Sequence, residues 1–172
     1  MSFLKTIVVT LLCVCGFAEA QLLPDNSTLN VQSVQRWMDS NRDFKIVIET
    51  VDTMFKTEEQ LSTFDLLPPA EQDEKINRFL QQQKMFEAAK VITYQRGWKS
   101  VGEYRRLSTK LGNAIAAGFL ASKMNHLTAD EKKTLREKSD PAVVAVPPAD
   151  IAFVKTNEKL LKQYIQAYAA TR

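Results

Sequence analysis

Few side chains in this sequence are suited to chemistry. His126 is the one histidine, and the two cysteines, Cys13 and Cys15, lie near the amino terminus. A serine triad or a zinc site would need more of these residues, and neither a Gly-x-Ser-x-Gly nor a His-Glu-x-x-His motif occurs. A calcium-binding Asp-x-Asp-x-Asp-Gly loop and a phosphate-binding glycine loop are also missing. We therefore expect no metal, no cofactor and no catalytic residue. We expect His126 to lie at a helix carboxyl terminus, where positive charge is favourable.

Paired carboxylates are the remaining source of enzymatic chemistry. Glu58-Glu59 and Asp73-Glu74 are neighbours in the sequence. A carboxylate-based hydrolase of an envelope polymer would need two acids that face each other across a cleft. Both pairs fall near the start of a predicted helix, where acidic side chains interact favourably with the helix dipole. We therefore predict that the chain is not an enzyme and keep the hydrolase as an alternative.

Charge is distributed unevenly along the chain. Residues 39–75 contain ten acids and four bases, whereas residues 95–138 contain ten bases and four acids. The two regions are either complementary surfaces within one domain or separate surfaces for partners, although ordinary solvated helices also carry such charges. The bases that form the candidate interaction surface are Arg105, Arg106, Lys132, Lys133, Arg136 and Lys138. No stacking aromatic residues interleave with them, so we expect an acidic protein or an anionic envelope component rather than nucleic acid.

The first twenty residues are typical of a secretory signal peptide. Lys5 precedes an apolar run at residues 7–17, and Ala18-Glu19-Ala20 supplies the small residues that a signal peptidase recognises. The run is shorter than the roughly 20 apolar residues that a membrane-spanning helix needs. Cleavage after Ala20 would remove both cysteines and leave a chain with no transmembrane segment. We expect export to the periplasm in a Gram-negative bacterium, or secretion otherwise.

The rest of the chain has apolar residues at helical spacing. Its 172 residues, 45% of them hydrophobic, suit one domain with its own core. We expect a loose lead over residues 21–30 and a single compact all-α bundle of about five helices over residues 31–172. One helix should restart at Ser40, and another should run from Pro69 to about Gln95. The proline-containing segment 139–148 should cross the bundle in an extended, irregular conformation before the last helix.

The segment from Gly97 to Tyr104 has the strongest local pattern. Gly97 is placed to take the left-handed conformation that ends a helix. Ser100 can cap the next helix, with Glu103 at the third helical position, as in a capping box. Trp98 lies between them as an apolar plug. The spacing predicts a tight corner between two helices.

This corner resembles one in small, uncharacterised, exported all-helical proteins of proteobacteria. In those proteins a Gly-Phe-x-Ser-x-x-Glu-aromatic turn precedes an amphipathic helix. The residues that match are Gly97, Trp98, Ser100, Glu103 and Tyr104. Trp98 replaces the expected phenylalanine, and Tyr104 replaces the expected tryptophan. The resemblance extends loosely over residues 31–119 and implies a periplasmic all-α domain, with no catalytic residue to carry over.

The function that we expect is binding without catalysis. An exported helical domain without catalytic groups suits a protein that binds another protein or an envelope component. One alternative is a carrier that holds a small apolar ligand or lipid in a cavity between helices; the other is the hydrolase. The phenylalanines that would line the carrier cavity are Phe44, Phe79, Phe86, Phe119 and Phe153.

Overall fold

The computed structural model describes residues 29–170, without the side chains of Tyr164 and residues 167–170. Within that range the regular elements are all helices, which confirms the all-α class. The helices are α1 (Val31–Asp52), α2 (Glu58–Asp65), α3 (Pro69–Gln82), α4 (Phe86–Gln95), α5 (Val101–Met124), α6 (Ala129–Glu137), α7 (Pro141–Val144), α8 (Pro148–Thr156) and α9 (Glu158–Ala170). The predicted number of about five is therefore wrong for residues 29–170, which contain nine. The predicted signal peptide lies outside the described residues.

Helix α1 begins where the sequence predicts but does not restart at Ser40. The side chain of Asn30 accepts a hydrogen bond from the Ser33 N–H at 2.8 Å, which caps the helix. Ser40 is buried in mid-helix, and its hydroxyl donates to the Arg36 carbonyl at 2.7 Å. The residue that looked like a cap therefore satisfies its hydroxyl inside a continuous helix. Leu29, at the end of the predicted loose lead, packs into the core.

The long helix predicted from Pro69 to Gln95 is broken into α3 and α4. Lys84 has a φ of 58°, in the left-handed region, and the Met85 N–H donates to the Leu80 carbonyl at 2.8 Å. This is the hydrogen bond that usually closes a helix ending in glycine. The break lets α4 turn back and pack against α1. The residues around Lys84 do not predict this break, because lysine ordinarily favours helix.

The proline-containing segment 139–148 is not extended throughout, because residues 141–144 form α7 and Pro148 begins α8. Pro141 and Pro148 occupy the first positions of α7 and α8, where proline loses no hydrogen bond. Asp140 caps α7 by accepting a hydrogen bond from the Ala142 N–H at 2.8 Å. The predicted last helix is also divided, at Asn157, whose side-chain amide donates to the Phe153 carbonyl at 2.9 Å. Prolines that seemed to interrupt helices therefore start them.

Helix α5 lies at the centre of the bundle and packs against α1, α3, α4, α7 and α8. Its buried residues Leu107 and Leu111 join Phe44 of α1 and Leu80 of α3 in one core. Small residues let α8 come close, since a Cβ added at Gly118 would lie 3.0 Å from a methyl carbon of Val154. The core is therefore organised around α5.

The corner between α4 and α5 has the geometry that its spacing predicts. Gly97 has a φ of 66°, and the Trp98 N–H donates to the Thr93 carbonyl at 2.9 Å. The Ser100 hydroxyl accepts a hydrogen bond from the Glu103 N–H at 2.8 Å. The Glu103 carboxylate in turn accepts from the Lys99 N–H. Glu103, Trp98 and Tyr104 are all buried, so the corner contributes directly to the core.

We expect Gly97→Ala to lower the free energy of unfolding by about 1–2 kcal/mol, because a left-handed backbone is unfavourable for a residue with a Cβ. The new methyl group would also lie 2.8 Å from the guanidinium of Arg36. Gly112→Ala is the matched control, since a Cβ in the middle of α5 would meet no atom within 4 Å. The control should gain up to about 1 kcal/mol in helix propensity. Urea unfolding followed by circular dichroism measures the free energy of unfolding of both variants. Equal changes in the two variants would contradict the left-handed conformation of Gly97 in the corner.

Candidate functional site

Eight of the ten basic residues in the region 95–138 fall into two groups. The first group forms ion pairs within the bundle, and three of its four pairs reach acids in the acidic region 39–75. The pairs are Arg96–Asp43, Arg105–Asp65, Arg106–Asp73 and Lys110–Asp150. To this extent the two oppositely charged regions are complementary surfaces of one bundle.

Two of the six predicted interaction residues belong to this internal group. Arg105 is 7% exposed, and its Nη1 lies 2.6 Å from Oδ1 of Asp65. Its guanidinium also lies over the rings of Phe55 and Phe64, at 5.2 and 5.1 Å from their centroids. The carboxylate and the two aromatic rings together stabilise the charged guanidinium of Arg105. Arg105 therefore has a role inside the fold.

Arg106 pairs with Asp73 at 2.7 Å, and the pair depends on a glycine. A Cβ added at Gly102 would lie 2.0 Å from Oδ1 of Asp73 and 2.9 Å from Nη1 of Arg106. The missing side chain leaves the space in which the carboxylate of α3 meets the guanidinium of α5. This role of Gly102 was not predicted from the sequence. A glycine in the first turn of a capped helix was the signal that could have indicated this close approach.

The other four predicted interaction residues lie on and just after α6. Lys133, Arg136 and Lys138 are exposed and Lys132 is partly exposed. None of these four has an ion pair with any residue that the structure describes. Arg136 is four residues after Lys132 and three residues after Lys133, so it is a neighbour of both on the helix surface. We call these four residues the α6 basic surface.

Helix α6 is stabilised by its capping box rather than by buried side chains. It has no buried residue, and its amino terminus carries a full capping box between Thr128 and Glu131. Glu131 accepts a hydrogen bond from the Thr128 N–H at 2.8 Å, and this bond and a second one from the Thr128 hydroxyl lower the pKa of the carboxyl. Asp130 and Glu137 lie one turn before and after Lys133. Positive charge is therefore greatest around Lys132 and Arg136.

The histidine and the paired acids lie apart from one another. His126 is exposed in the turn between α5 and α6. Asp73 pairs with Arg106, and Glu74 pairs with Arg78 on the solvent side of α3. Glu58 and Glu59 form the first turn of α2 and are exposed. In the part of the chain that the structure describes, no group of three or more histidine, cysteine or acidic residues could hold a metal ion.

A groove of about 510 Å³ lies between α1 and α5. Its floor is aromatic and almost inaccessible, since Trp37, Phe44 and Tyr104 are at most 2% exposed. Phe44 and Tyr104 stack with ring centroids 4.1 Å apart, and the Tyr104 hydroxyl donates to Asn41 at 3.1 Å. Ile165 of α9 also lines the groove. Aromatic side chains therefore support the groove from below rather than line an apolar tunnel.

The two walls of the groove differ in chemistry. The α1 wall has charged and aliphatic residues, among them Lys45 and Glu49, whose charged groups are 2.8 Å apart. The α5 wall has polar, uncharged residues around a glycine, together with one isoleucine. The α5 residues are Ser108, Thr109, Gly112, Asn113 and Ile115. This groove was not predicted from the sequence, although the polar positions 108, 109 and 113 interrupt the apolar pattern of α5 and could have indicated it.

The five phenylalanines of the predicted carrier cavity are not brought together. Phe44 lines the groove between α1 and α5, whereas Phe86 lines a separate cavity of about 200 Å³. Phe119 is 68% exposed. Phe153 packs at the edge of the core, and Phe79 is partly buried on α3. The groove between α1 and α5 is therefore a different kind of site from the cavity of the alternative carrier hypothesis.

Among the described helices, none combines the length and the apolar character that crossing a membrane requires. Comparison of the chain with protein-family models, with curated proteins and with solved structures gives no match.

Proposed function

We propose that this chain is an exported, non-catalytic helical protein that docks on an anionic component of the cell envelope through the α6 basic surface. The observation that carries the proposal is the division of the bases. Of the eight bases in the two groups, four form ion pairs with acids from other segments of the bundle, and the four on and after α6 have no ion pair with a described residue. An unpaired, accessible cation keeps its attraction for an external anion.

The strength of this attraction follows from elementary electrostatics. A lysine or arginine near an anionic lipid surface contributes about 1 kcal/mol, and the attraction falls off within a Debye length of about 10 Å at moderate salt. Because α6 buries no residue, its basic face can approach a surface that closely. Anionic lipid headgroups are the envelope component that we propose. The predicted signal peptide and the resemblance to exported proteins support a periplasmic location.

The absence of catalysis in this proposal is supported by the position of the acids. Glu49 and Asp52 are the carboxylates that line the groove, and both lie on α1. The facing α5 wall has hydroxyl and amide groups instead. A hydrolase that uses two carboxylates needs them on opposite sides of the scissile bond.

Vesicle co-sedimentation tests the proposal. The purified chain should bind phosphatidylcholine vesicles that contain one third phosphatidylglycerol and should not bind pure phosphatidylcholine vesicles. Binding should weaken steeply as salt increases. Replacing Lys132, Lys133, Arg136 and Lys138 with glutamine should weaken binding about a hundredfold or more, given about 1 kcal/mol for each base.

The matched control removes the same amount of charge elsewhere. It replaces Lys75, Lys90, Lys155 and Lys159 with glutamine; these lysines are exposed and lie on α3, α4, α8 and α9. The control should bind much more tightly than the α6 variant. Equal weakening by the two variants would mean that net charge, and not the α6 basic surface, governs binding. Equal affinity for neutral and anionic vesicles would overturn the proposal altogether.

A further inference from the structure

Three polar side chains on the α5 wall of the groove have unused hydrogen-bonding capacity. Ser108, Thr109 and Asn113 make no side-chain hydrogen bond to any residue that the structure describes. Some other hydroxyls in helices of this chain bond to their own helix: Thr93 donates to the Ala89 carbonyl at 2.6 Å, and Ser122 donates to the Gly118 carbonyl at 3.0 Å. Such back-bonding is one way in which a helix satisfies a hydroxyl. Ser108 and Thr109 instead remain available to a ligand.

Gly112 provides room for a ligand at the same place. It lies one helical turn after Ser108 and next to Asn113, and a Cβ added there would meet nothing within 4 Å. A ligand can therefore approach the α5 backbone while it contacts a hydroxyl and the Asn113 amide. The volume of about 510 Å³ falls within the usual range of small-molecule sites.

The charges that line the groove indicate a neutral ligand. Two cations, Lys45 and Arg105, and two anions, Glu49 and Asp52, line it, and each of the two cations already has a carboxylate partner. Lys45 pairs with Glu49 at 2.8 Å, and Arg105 pairs with Asp65 at 2.6 Å. A charged ligand would have to compete with these pairs and give up its own hydration.

We infer that the groove between α1 and α5 binds a small neutral molecule with an amide group and neighbouring aliphatic or hydroxyl groups. The Asn113 amide has both donors and an acceptor and can pair with the N–H and C=O of one ligand amide. The hydroxyls of Ser108 and Thr109 can donate or accept alongside it. Ile48, Ile115 and Ile165 offer aliphatic surface for methyl or methylene groups. This site is separate from the α6 basic surface and does not depend on it.

Two kinds of molecule share this chemistry, namely N-acylated amino sugars and peptide units. The probes are therefore N,N′-diacetylchitobiose and N-acetyl-alanyl-alanine amide, both neutral. Their charged counterparts are the deacetylated disaccharide, which is a cation, and the acetylated dipeptide with a free carboxylate. Titration of the ¹⁵N-labelled chain, followed by NMR, reports on the Gly112 backbone amide and the Asn113 side-chain amide.

At least one neutral probe should shift both signals in a saturable manner, and the probe that does so identifies the source of the ligand. Its charged counterpart should bind about tenfold more weakly or worse, because an ion entering the groove loses hydration. Gly112→Phe should fill the groove and abolish the shifts, whereas Gly112→Ala should retain binding. Asn113→Leu, which keeps the size of the side chain, should weaken binding about tenfold through lost hydrogen bonds. This second variant keeps the test decisive if Gly112→Phe does not fold.

Three results would overturn the inference. The first is the absence of saturable shifts with both neutral probes. The second is unchanged binding in Asn113→Leu or in a folded Gly112→Phe variant. The third is a preference for the neutral apolar dye N-phenyl-1-naphthylamine over both amides, which would identify the groove with an apolar carrier cavity instead.

Discussion

Replacing Phe44 with alanine should lower the free energy of unfolding by about 3–5 kcal/mol, the usual range for removing a buried aromatic ring. Phe44 is 0% exposed and is stacked on Tyr104 with centroids 4.1 Å apart. Its ring also meets Trp98 edge-on at 6.5 Å. The side chain therefore joins α1 to the corner and to the start of α5. Its loss would leave a cavity beside the rings of Tyr104 and Trp98.

Phe119→Ala is the matched control, because it is the same substitution at a ring that is 68% exposed. We expect this control to change stability by no more than about 0.5 kcal/mol, as is usual for surface positions. Chemical denaturation of both variants, each compared with the parent chain, gives the two differences directly. Similar losses in the two variants would show that Phe44 does not occupy the core.

The second large effect concerns two arginines that the sequence alone does not distinguish. Arg105→Ala should lower the free energy of unfolding by about 2–3 kcal/mol. This is less than the full effect of breaking a buried pair, because the Asp65 side chain is 33% exposed and can be hydrated. The loss includes the contacts with Phe55 and Phe64. Arg136→Ala should change stability by at most about 0.5 kcal/mol.

For vesicle binding, the two arginine variants should rank in the opposite order from their loss of stability. Arg136→Ala should weaken binding to anionic vesicles, whereas Arg105→Ala, measured at a temperature at which it is folded, should bind like the parent chain. Denaturation and co-sedimentation on the same two proteins check both halves of this expectation. If Arg105→Ala proved as stable as Arg136→Ala, the internal ion pair would not contribute as its geometry indicates.

Several elements of the fold could be predicted because their determinants are local. The cap at Asn30, the corner from Gly97 to Tyr104 and the capping box at Thr128 each depend on residues within a few positions of one another. The apolar periodicity of α1 and α5 also lies along a single segment. For these elements, neighbouring residues supply both the hydrogen bonds and the buried face. These elements therefore depend little on contacts with distant segments.

The number of helices could not be predicted because the breaks depend on packing. Lys84 takes a left-handed conformation that its residue type disfavours, and it does so where α4 turns back against α1. Pro141 and Pro148 can either interrupt or start a helix, and the sequence pattern does not distinguish these two roles. Ser40 resembles a cap, yet its hydroxyl also accepts a hydrogen bond from the Trp98 indole N–H, 58 positions away in the sequence. Each of these outcomes is decided by contacts with a distant segment.

The sequence by itself determined the all-helical class, the main caps and the uneven distribution of charge, since these follow from composition and from spacing over a few residues. Only the tertiary structure decided which bases form ion pairs between segments of the bundle and which remain available to a partner. Arg105 and Asp65 are 40 positions apart, and the groove combines residues of α1 and α5 with Ile165. Coulomb attraction and burial depend on distance in space. That distance is fixed only once the helices have packed.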